Sequence, residues 1–313
     1  MSLSYTSIKT LIDFLPEELA AAVEQLSPAQ LEAVEELRLR NGGFLTIVTA
    51  QGDYTVPSTR ERRLRSEDLL LTLERATGAS LHTALSSLRQ GFSPARGGHR
   101  IGVCGTVVSQ DGQTVFLRDI SSLNLRVAHE VVGIAASVLP LLIEDGRLCN
   151  TLIISPPGMG KSTLLRDMLR SCSEGEGVPP VRVGVADERG ELCAMHEGQP
   201  QLSIGRRTDV ICGGTKAEGL MMLLRGMNPE VLAVDEVTAP EDIQAIEQAI
   251  GCGVTVLATA HAGSFGDLQR RTSYRPIMEK ELFRRFVLVG IQQGRRKYEI
   301  FNERGERLAI TGD

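Results

Sequence analysis

The chain has 313 residues, 42% of them hydrophobic and 23% charged, with a formal net charge of -5. That length implies one large α/β unit or two smaller domains, with ample core either way. The net acidity argues against a nucleic-acid binder whose whole surface is basic.

In chain order, the first signals are helical. Leu15-Pro-Glu-Glu-Leu is followed by Ser27-Pro28-Ala29-Gln30, where Ser27 can cap, Pro28 suits the first turn and Gln30 can close a capping box. Strand-like runs at 43–50 and 53–56 are joined by Gln51-Gly52, and Ser66-Glu67-Asp68 opens an apolar-periodic segment through Ala76. A second strand pair, 100–108 and 114–117, brackets Asp111-Gly112. This half reads as a small α+β domain. The longest apolar stretch, 131–143, is too short to span a membrane and is interrupted by Pro140. No charged segment leads into an apolar core at the N-terminus, so a soluble protein is expected. A helix over 133–145 marks the boundary, giving domains of 1–132 and 133–313.

From Thr151 short β-runs alternate with helical segments: 151–155, 181–186, 231–234 and 254–258. The runs are nearly continuously apolar, as central strands of a parallel sheet covered on both faces must be. Thr215-Lys-Ala-Glu218 and Thr238-Ala-Pro-Glu241 look like capping boxes of the crossover helices. The six cysteines, Cys104, Cys149, Cys172, Cys193, Cys212 and Cys252, include no CxxC pair and fit reduced thiols in a cytosolic protein.

The decisive segment is Leu152-Ile153-Ile154-Ser155-Pro156-Pro157-Gly158-Met159-Gly160-Lys161-Ser162-Thr163, a buried strand running into a Gly/Pro turn and then a helix. Bare backbone N–H groups around Pro157, Gly158, Met159 and Gly160 can wrap a β-phosphate at the positive end of the helix. Lys161 sets a point charge on the β/γ-phosphates of ATP, the Ser162 hydroxyl ligates Mg²⁺, and Thr163 completes the motif. Lys161 is the only lysine between Lys9 and Lys216, and it stands where the motif needs one. The position that usually opens this motif as glycine is Ser155.

The second half of such a site is an acidic residue at the end of a neighbouring apolar strand, and Val231-Leu232-Ala233-Val234-Asp235-Glu236 supplies it. Asp235 would hold Mg²⁺ through water and Glu236 could polarise the attacking water. No Asn-Lys-x-Asp stretch is present to read a guanine. Two further clusters fall after strands, Asp187-Glu188-Arg189-Gly190-Glu191 and Thr259-Ala260-His261, where a parallel sheet presents its ligand. His261 or Thr259 could sense the γ-phosphate, and Glu188 or Glu191 could orient water.

In chain order the four stretches correspond to Walker A, acidic box (187–191), Walker B (231–236) and histidine box, and the chain resembles the secretion ATPases of type II and type IV systems, hexameric P-loop motors. More closely, Gly97-Gly98-His99-Arg100-Ile101-Gly102, Ile120-Ser121-Ser122-Leu123-Asn124-Leu125-Arg126, the acidic stretch, and Leu224-Arg225-Gly226-Met227-Asn228-Pro229-Glu230-Val231 are similar to the stage III sporulation protein AA family. These stretches span both halves. The resemblance implies an α/β fold in which a smaller N-terminal α+β domain accompanies a RecA-like P-loop ATPase domain. It also implies a homohexamer with ATP between neighbours. Its partners would be membrane-embedded sporulation channel proteins, which would recruit a cytoplasmic protein to the inner face of the mother-cell membrane.

The resemblance further makes Glu188 a rival to Glu236 for activating water, and it calls for arginines on the transition-state charge. Arg100, Arg126, Arg206, Arg207 and Arg225 are the candidates, with Arg225 placed in the catalytic set. Ser155 departs from the family's usual glycine, which bears on hydrolysis rate more than on binding. Two other readings are an ATP-binding scaffold or switch with slow hydrolysis, and a nucleic-acid-acting ATPase using the arginine run at 60–65 and the Gly97-Gly98-His99-Arg100 segment. Net acidity counts against the last.

Overall fold

Alternation governs the first half of the chain: Leu37 and Leu39 are fully buried while Glu36, Arg38 and Arg40 between them are not. The computed structural model describes residues 3–78, 92–110, 113–128 and 130–312. The chain divides into two units, Met1–Glu130 with Ala194–Leu202, and Val131–Cys193 with Ser203–Asp313.

In the first unit, helices α1 (Leu3–Ile12), α2 (Glu17–Glu24), α3 (Pro28–Glu32) and α4 (Ser66–Thr77) accompany six strands. These are β1 (Glu36–Arg40), β2 (Thr46–Thr49), β3 (Gly52–Thr55), β4 (Phe92–Pro94), β5 (Arg100–Gln110) and β6 (Gln113–Arg126), in the antiparallel order β3-β2-β1-β6-β5-β4. Leu11, Phe14, Leu19 and Leu73 pack with Leu37, Leu39 and Leu125 as one core. Ser27 caps α3 as expected: its hydroxyl accepts from the Gln30 N–H at 3.3 Å, and Gln30 Oε1 accepts from the Ser27 N–H at 3.0 Å. The turn at Asp111-Gly112 lies outside the described residues, although its flanks pair as Gln110 with Gln113.

The arginine run at 60–65 is engaged within this unit. The Arg62 guanidinium donates to both Asp68 carboxylate oxygens at 3.1 and 2.8 Å and pairs with Glu18 at 2.7 Å, while Arg63 donates to the Gly42 carbonyl at 2.7 Å. A hairpin at 195–200 completes the unit, and the neighbouring Gln201 accepts the Gly97 N–H at 2.9 Å.

The second unit holds an eight-stranded sheet. Its strands are β7 (Thr151–Ser155), β8 (Val183–Asp187), β9 (Thr208–Cys212), β10 (Val231–Val234), β11 (Thr255–His261), β12 (Arg285–Gln292), β13 (Arg295–Asn302) and β14 (Arg307–Gly312), ordered β9-β8-β10-β11-β7-β12-β13-β14. The first six in that order are parallel and the last two return antiparallel. Helices α5 (Lys161–Glu174), α6 (Lys216–Gly226), α7 (Pro240–Gly251), α8 (Phe265–Arg270) and α9 (Arg275–Glu279) cover it. Strands β7, β8 and β10 are buried at every residue, which is why they read as unbroken apolar runs.

Three local expectations are corrected. The segment 133–145 is two short 3₁₀ turns, Ile134–Ser137 and Leu139–Leu142, leading into a strand from Ile143. Gly133 stands at φ 92°, Pro140 has no N–H to give, and Ala135 donates its N–H to the Asp167 carboxylate at 2.7 Å, so no regular helix forms. The start of α7 is closed by Asp242 and not Glu241: its carboxylate accepts the N–H of Thr238 at 3.2 Å and of Ala239 at 3.1 Å. Finally, β11 does not stop at Ala258 but continues through His261, held by pairing with β7 that sets His261 beside Ser155.

Candidate functional site

The Gly/Pro loop leaves β7 at Ser155, a fully buried residue whose hydroxyl donates to the Pro156 carbonyl at 2.7 Å. Pro156, Pro157 and Gly158 are exposed, Met159 and Gly160 half-buried, and α5 begins at Lys161 with Ser162 and Thr163 half-buried in its first turn. Gly158 and Gly160 hold φ of 79° and 93°, a left-handed backbone that glycine adopts without cost. No side chain caps α5, so its first N–H groups face out of the helix end unsatisfied by a cap. A β-carbon at Gly158 would meet nothing within 4 Å. This glycine cradle before an uncapped helix start fits an anion of phosphate character.

Lys161 is 5% exposed, with Nζ 3.4 Å from the Ser155 carbonyl and 3.1 Å from His261 Nδ1. Burial lowers its pKa, and the charges of Asp235 and Glu236 act in the opposite sense. His261 Nε2 lies 2.9 Å from Glu236 Oε1, and Arg189 donates to Glu236 Oε2 at 2.9 Å. Lysine, histidine, glutamate and arginine therefore form one chain of contacts across the carboxyl ends of β7, β11, β10 and β8. Burial pushes the Glu236 carboxyl up, but the His261 hydrogen bond and charge, with Arg189 and Lys161, more than offset it and hold the group below its ordinary value.

The turn after β10 is fixed by Thr259. Its hydroxyl accepts the Glu236 N–H at 2.8 Å and donates to the Asp235 carboxylate. Glu236 takes φ 53°, a left-handed conformation uncommon for a non-glycine residue, and the Thr259 bond holds it there. Asp235 is 9% exposed at this position. Among the described residues no cluster of three or more His, Cys, Asp or Glu side chains would hold a metal by protein ligands alone. Ser162 and Asp235 carry oxygen donors of the kind Mg²⁺ would take if phosphate oxygens and water completed its shell.

The acidic box follows β8. Asp187 is buried, and its carboxylate accepts the N–H groups of Glu191, Leu192 and Cys193 at 3.0, 3.1 and 2.8 Å, winding the loop around itself. Burial raises its pKa against those bonds. Arg166 of α5 donates to the carbonyls of Leu192 at 2.6 Å and Glu191 at 2.7 Å, so the loop is tied to α5. Glu188 pairs with Lys216 at 3.0 Å, and Glu188, Arg189, Lys216, Asp235 and Glu236 line one narrow cleft.

The structure thus gathers Lys161, Glu188, Asp235, Glu236 and His261 at one end of the sheet. Arg225 is not among them: it lies in the last turn of α6, the opposite end from Lys216, and lines a groove of about 920 Å³ with Met222, Glu241 and Gln248. Arg206 pairs with Glu174 at 2.9 Å, and Arg207 bonds the Ser173 carbonyl at 2.9 Å, both securing the far end of α5. In the first unit Arg100 lies over the Phe92 ring at 3.7 Å, and Arg126 pairs with Glu36 at 3.2 Å. Sequence reasoning missed Lys216 as the partner of Glu188. A signal existed, since a lysine in the first turn of a capped helix opposes the helix dipole and calls for a nearby carboxylate.

Comparison with known proteins bears on this arrangement. The family model for Sporulation stage III, protein AA matches residues 10–308. Stage III sporulation protein AA of Bacillus subtilis (strain 168) is 38% identical over 302 residues, 96% of each chain. Among solved structures, the Legionella pneumophila ATPase DotB superposes with a TM-score of 0.58 at 17% identity, over 93% of this chain and 84% of its own. The pilus retraction motor PilT with bound ADP gives 0.59 at 16%, over 91% and 81%. At those identities the likeness is one of fold, and it is the RecA-like α/β fold anticipated from the sequence. With nearly its full length matched by the family model and by a relative at 38% identity, the chain belongs to the sporulation stage III, protein AA family.

Proposed function

We propose that this protein is a Mg²⁺-dependent ATPase that works as a homohexameric ring and energises a membrane-embedded sporulation channel from the cytoplasmic face of the mother cell. The observation that carries the reading is Lys161, buried at the start of an uncapped helix behind Gly158 and Gly160, within reach of His261 and, through it, Glu236. DotB, an ATPase, and PilT, a motor solved with ADP, share this fold, and the family match supports the sporulation setting.

In this reading Pro157, which has no N–H, shapes the loop, and the N–H groups of Gly158 to Thr163, together with Lys161, bind the β- and γ-phosphates. Ser162 and Asp235 hold Mg²⁺, which when bound neutralises charge on the phosphate oxygens. Glu236 orients the attacking water. Its lowered pKa keeps it ionised and makes it a weak proton acceptor, so positioning outweighs proton abstraction in its contribution. His261 links Glu236 to Lys161 and so registers the terminal phosphate, while Glu188 acts from the cleft wall where Lys216 holds it. Arg225, at the far end of α6, serves the site of a neighbouring subunit. The first unit, Met1–Glu130 with Ala194–Leu202, would be the moving part and the second the ATPase part.

Steady-state Mg-ATP hydrolysis as a function of protein concentration tests the proposal, with Glu236→Gln and Glu188→Gln beside the wild type. Specific activity that rises with concentration and collapses in one variant is expected. Background hydrolysis with nucleotide binding intact would replace the motor by an ATP-binding scaffold.

A further inference from the structure

The edge of the large sheet carries a basic residue to the P-loop. Strand β12 runs parallel to β7 with Leu288 opposite Ile154, and four more residues of β12 extend past that point, alongside the loop that leaves β7. The return strand β13 begins there, with Arg296 opposite Ile291. Alternation along β13 puts Arg296 on the same face as Tyr298 and Ile300, both fully buried, while Lys297 and Glu299 point the other way and pair at 3.0 Å. Arg296 therefore continues an inward face beyond the end of the core.

At that position the guanidinium lies against Gly160. A β-carbon there would stand 3.1 Å from Arg296 Nε, 3.4 Å from Nη2 and 3.6 Å from Cζ, so the planar group lies along the loop backbone in the space a side chain would fill. Arg296 is half-buried, and among the described residues its side chain makes no ion pair or hydrogen bond. The neighbouring cations Lys297 and Arg307 both pair with Glu299, at 3.0 and 3.2 Å. A guanidinium held beside a phosphate-type loop without a carboxylate partner is arranged for an external anion, and its planar fork suits phosphate oxygens.

We propose that Arg296 is a phosphate-contacting residue for a nucleoside triphosphate, supplied by the same chain as the P-loop. This rests on the nucleotide reading of Lys161, and it assigns to the last hairpin of the sheet a role the motif does not cover. It also gives Gly160 a second reason to be glycine, since a side chain there would displace the guanidinium.

Titration calorimetry with MgATP on the full chain tests it, using wild type, Arg296→Met, Arg296→Lys and, as the control for the site, Lys161→Ala. Arg296→Met keeps the apolar stem, and it is expected to bind MgATP about tenfold or more weakly, as loss of a charge-assisted contact implies. Arg296→Lys should recover part of the loss, which a purely packing role would not produce, and the thermal midpoint without nucleotide should match wild type in both. Binding by Arg296→Met within twofold of wild type, while Lys161→Ala fails to bind, would overturn the role of Arg296 and leave the site intact. Wild-type protein that does not bind MgATP, or Lys161→Ala that binds as tightly, would overturn the nucleotide reading beneath it. Should Arg296→Met not fold, Arg296→Gln replaces it with the same two outcomes.

Discussion

Lys161 Nζ and His261 Nδ1 lie 3.1 Å apart, and the other ring nitrogen of His261 lies 2.9 Å from Glu236. One imidazole thus bridges Lys161 and Glu236, the residues to which the proposed function gives the phosphate and the attacking water. In the proposed function, a lysine that engaged the γ-phosphate would give up part of its contact with His261 and so change the surroundings of Glu236.

It follows that His261→Ala should impair hydrolysis more than binding. Single-turnover hydrolysis is expected to fall about 100-fold, in the range for losing a positioned polar group, while MgATP affinity stays within a few-fold of wild type. Equal losses in both quantities would mean that the histidine acts through the phosphate seat alone.

Lys216 is the second lever. Its ammonium pairs with Glu188 at 3.0 Å, with the lysine side chain 9% exposed and the glutamate 40%. Lys216→Met removes a buried cation and leaves a glutamate that water can still solvate, so stability should change little, with a thermal midpoint within a few degrees. Hydrolysis should drop about tenfold as Glu188 loses its fixed position, and Lys216→Arg should restore most of it. Undiminished turnover in Lys216→Met would remove Glu188 from the reaction.

Much of this site is legible in the amino-acid sequence. The strand at 151–155, the glycine turn and Asp235-Glu236 are local patterns, each imposed by burial or by backbone conformation over a few residues. What the sequence conceals is tertiary. That β11 carries His261 onto the sheet beside Ser155 depends on a parallel pairing between segments about 100 residues apart, which no local period records. Lys216 beside Glu188 and Arg296 over Gly160 arise in the same way, from strand order. The false helix at 133–145 shows the converse: its apolar content is real, but Gly133, Pro140 and the bond from Ala135 to Asp167 override it.

Acid should reveal the cap of α4. Asp68 accepts the Arg65 N–H at 2.8 Å and pairs with Arg62; burial raises its pKa, but the bonds from Arg62 and Arg65 outweigh that and leave it lowered. A carboxylate whose folded pKa lies below its unfolded value of about 3.9 contributes stability above that value and loses it as pH falls through the folded pKa. Asp68→Asn should therefore be about 1 kcal/mol less stable than wild type in urea at pH 7, as for a lost cap. The gap should close progressively below about pH 4. A gap independent of pH would assign the effect to shape and not to charge.

Two glycines on the route from α5 to α6 separate backbone strain from crowding. Gly205 has φ 89°, and a β-carbon there would collide with Ser173 Cβ and come within 3.1 Å of the Arg170 carbonyl. The same stretch is tied to α5 by the Arg207 N–H donating to Ser173 Oγ at 2.6 Å, so it cannot retreat freely. Gly213 has φ 83° with nothing within 4 Å of its β-position. Alanine at Gly213 should cost only the left-handed backbone, about 1 kcal/mol. Alanine at Gly205 adds overpacking to that and should cost about 3 kcal/mol. Urea denaturation of the two variants measures the difference. Equal losses would mean that Ser173 yields and that the 203–207 segment is not braced on α5, whereas the expected difference of about 2 kcal/mol would locate the brace at Ser173 itself.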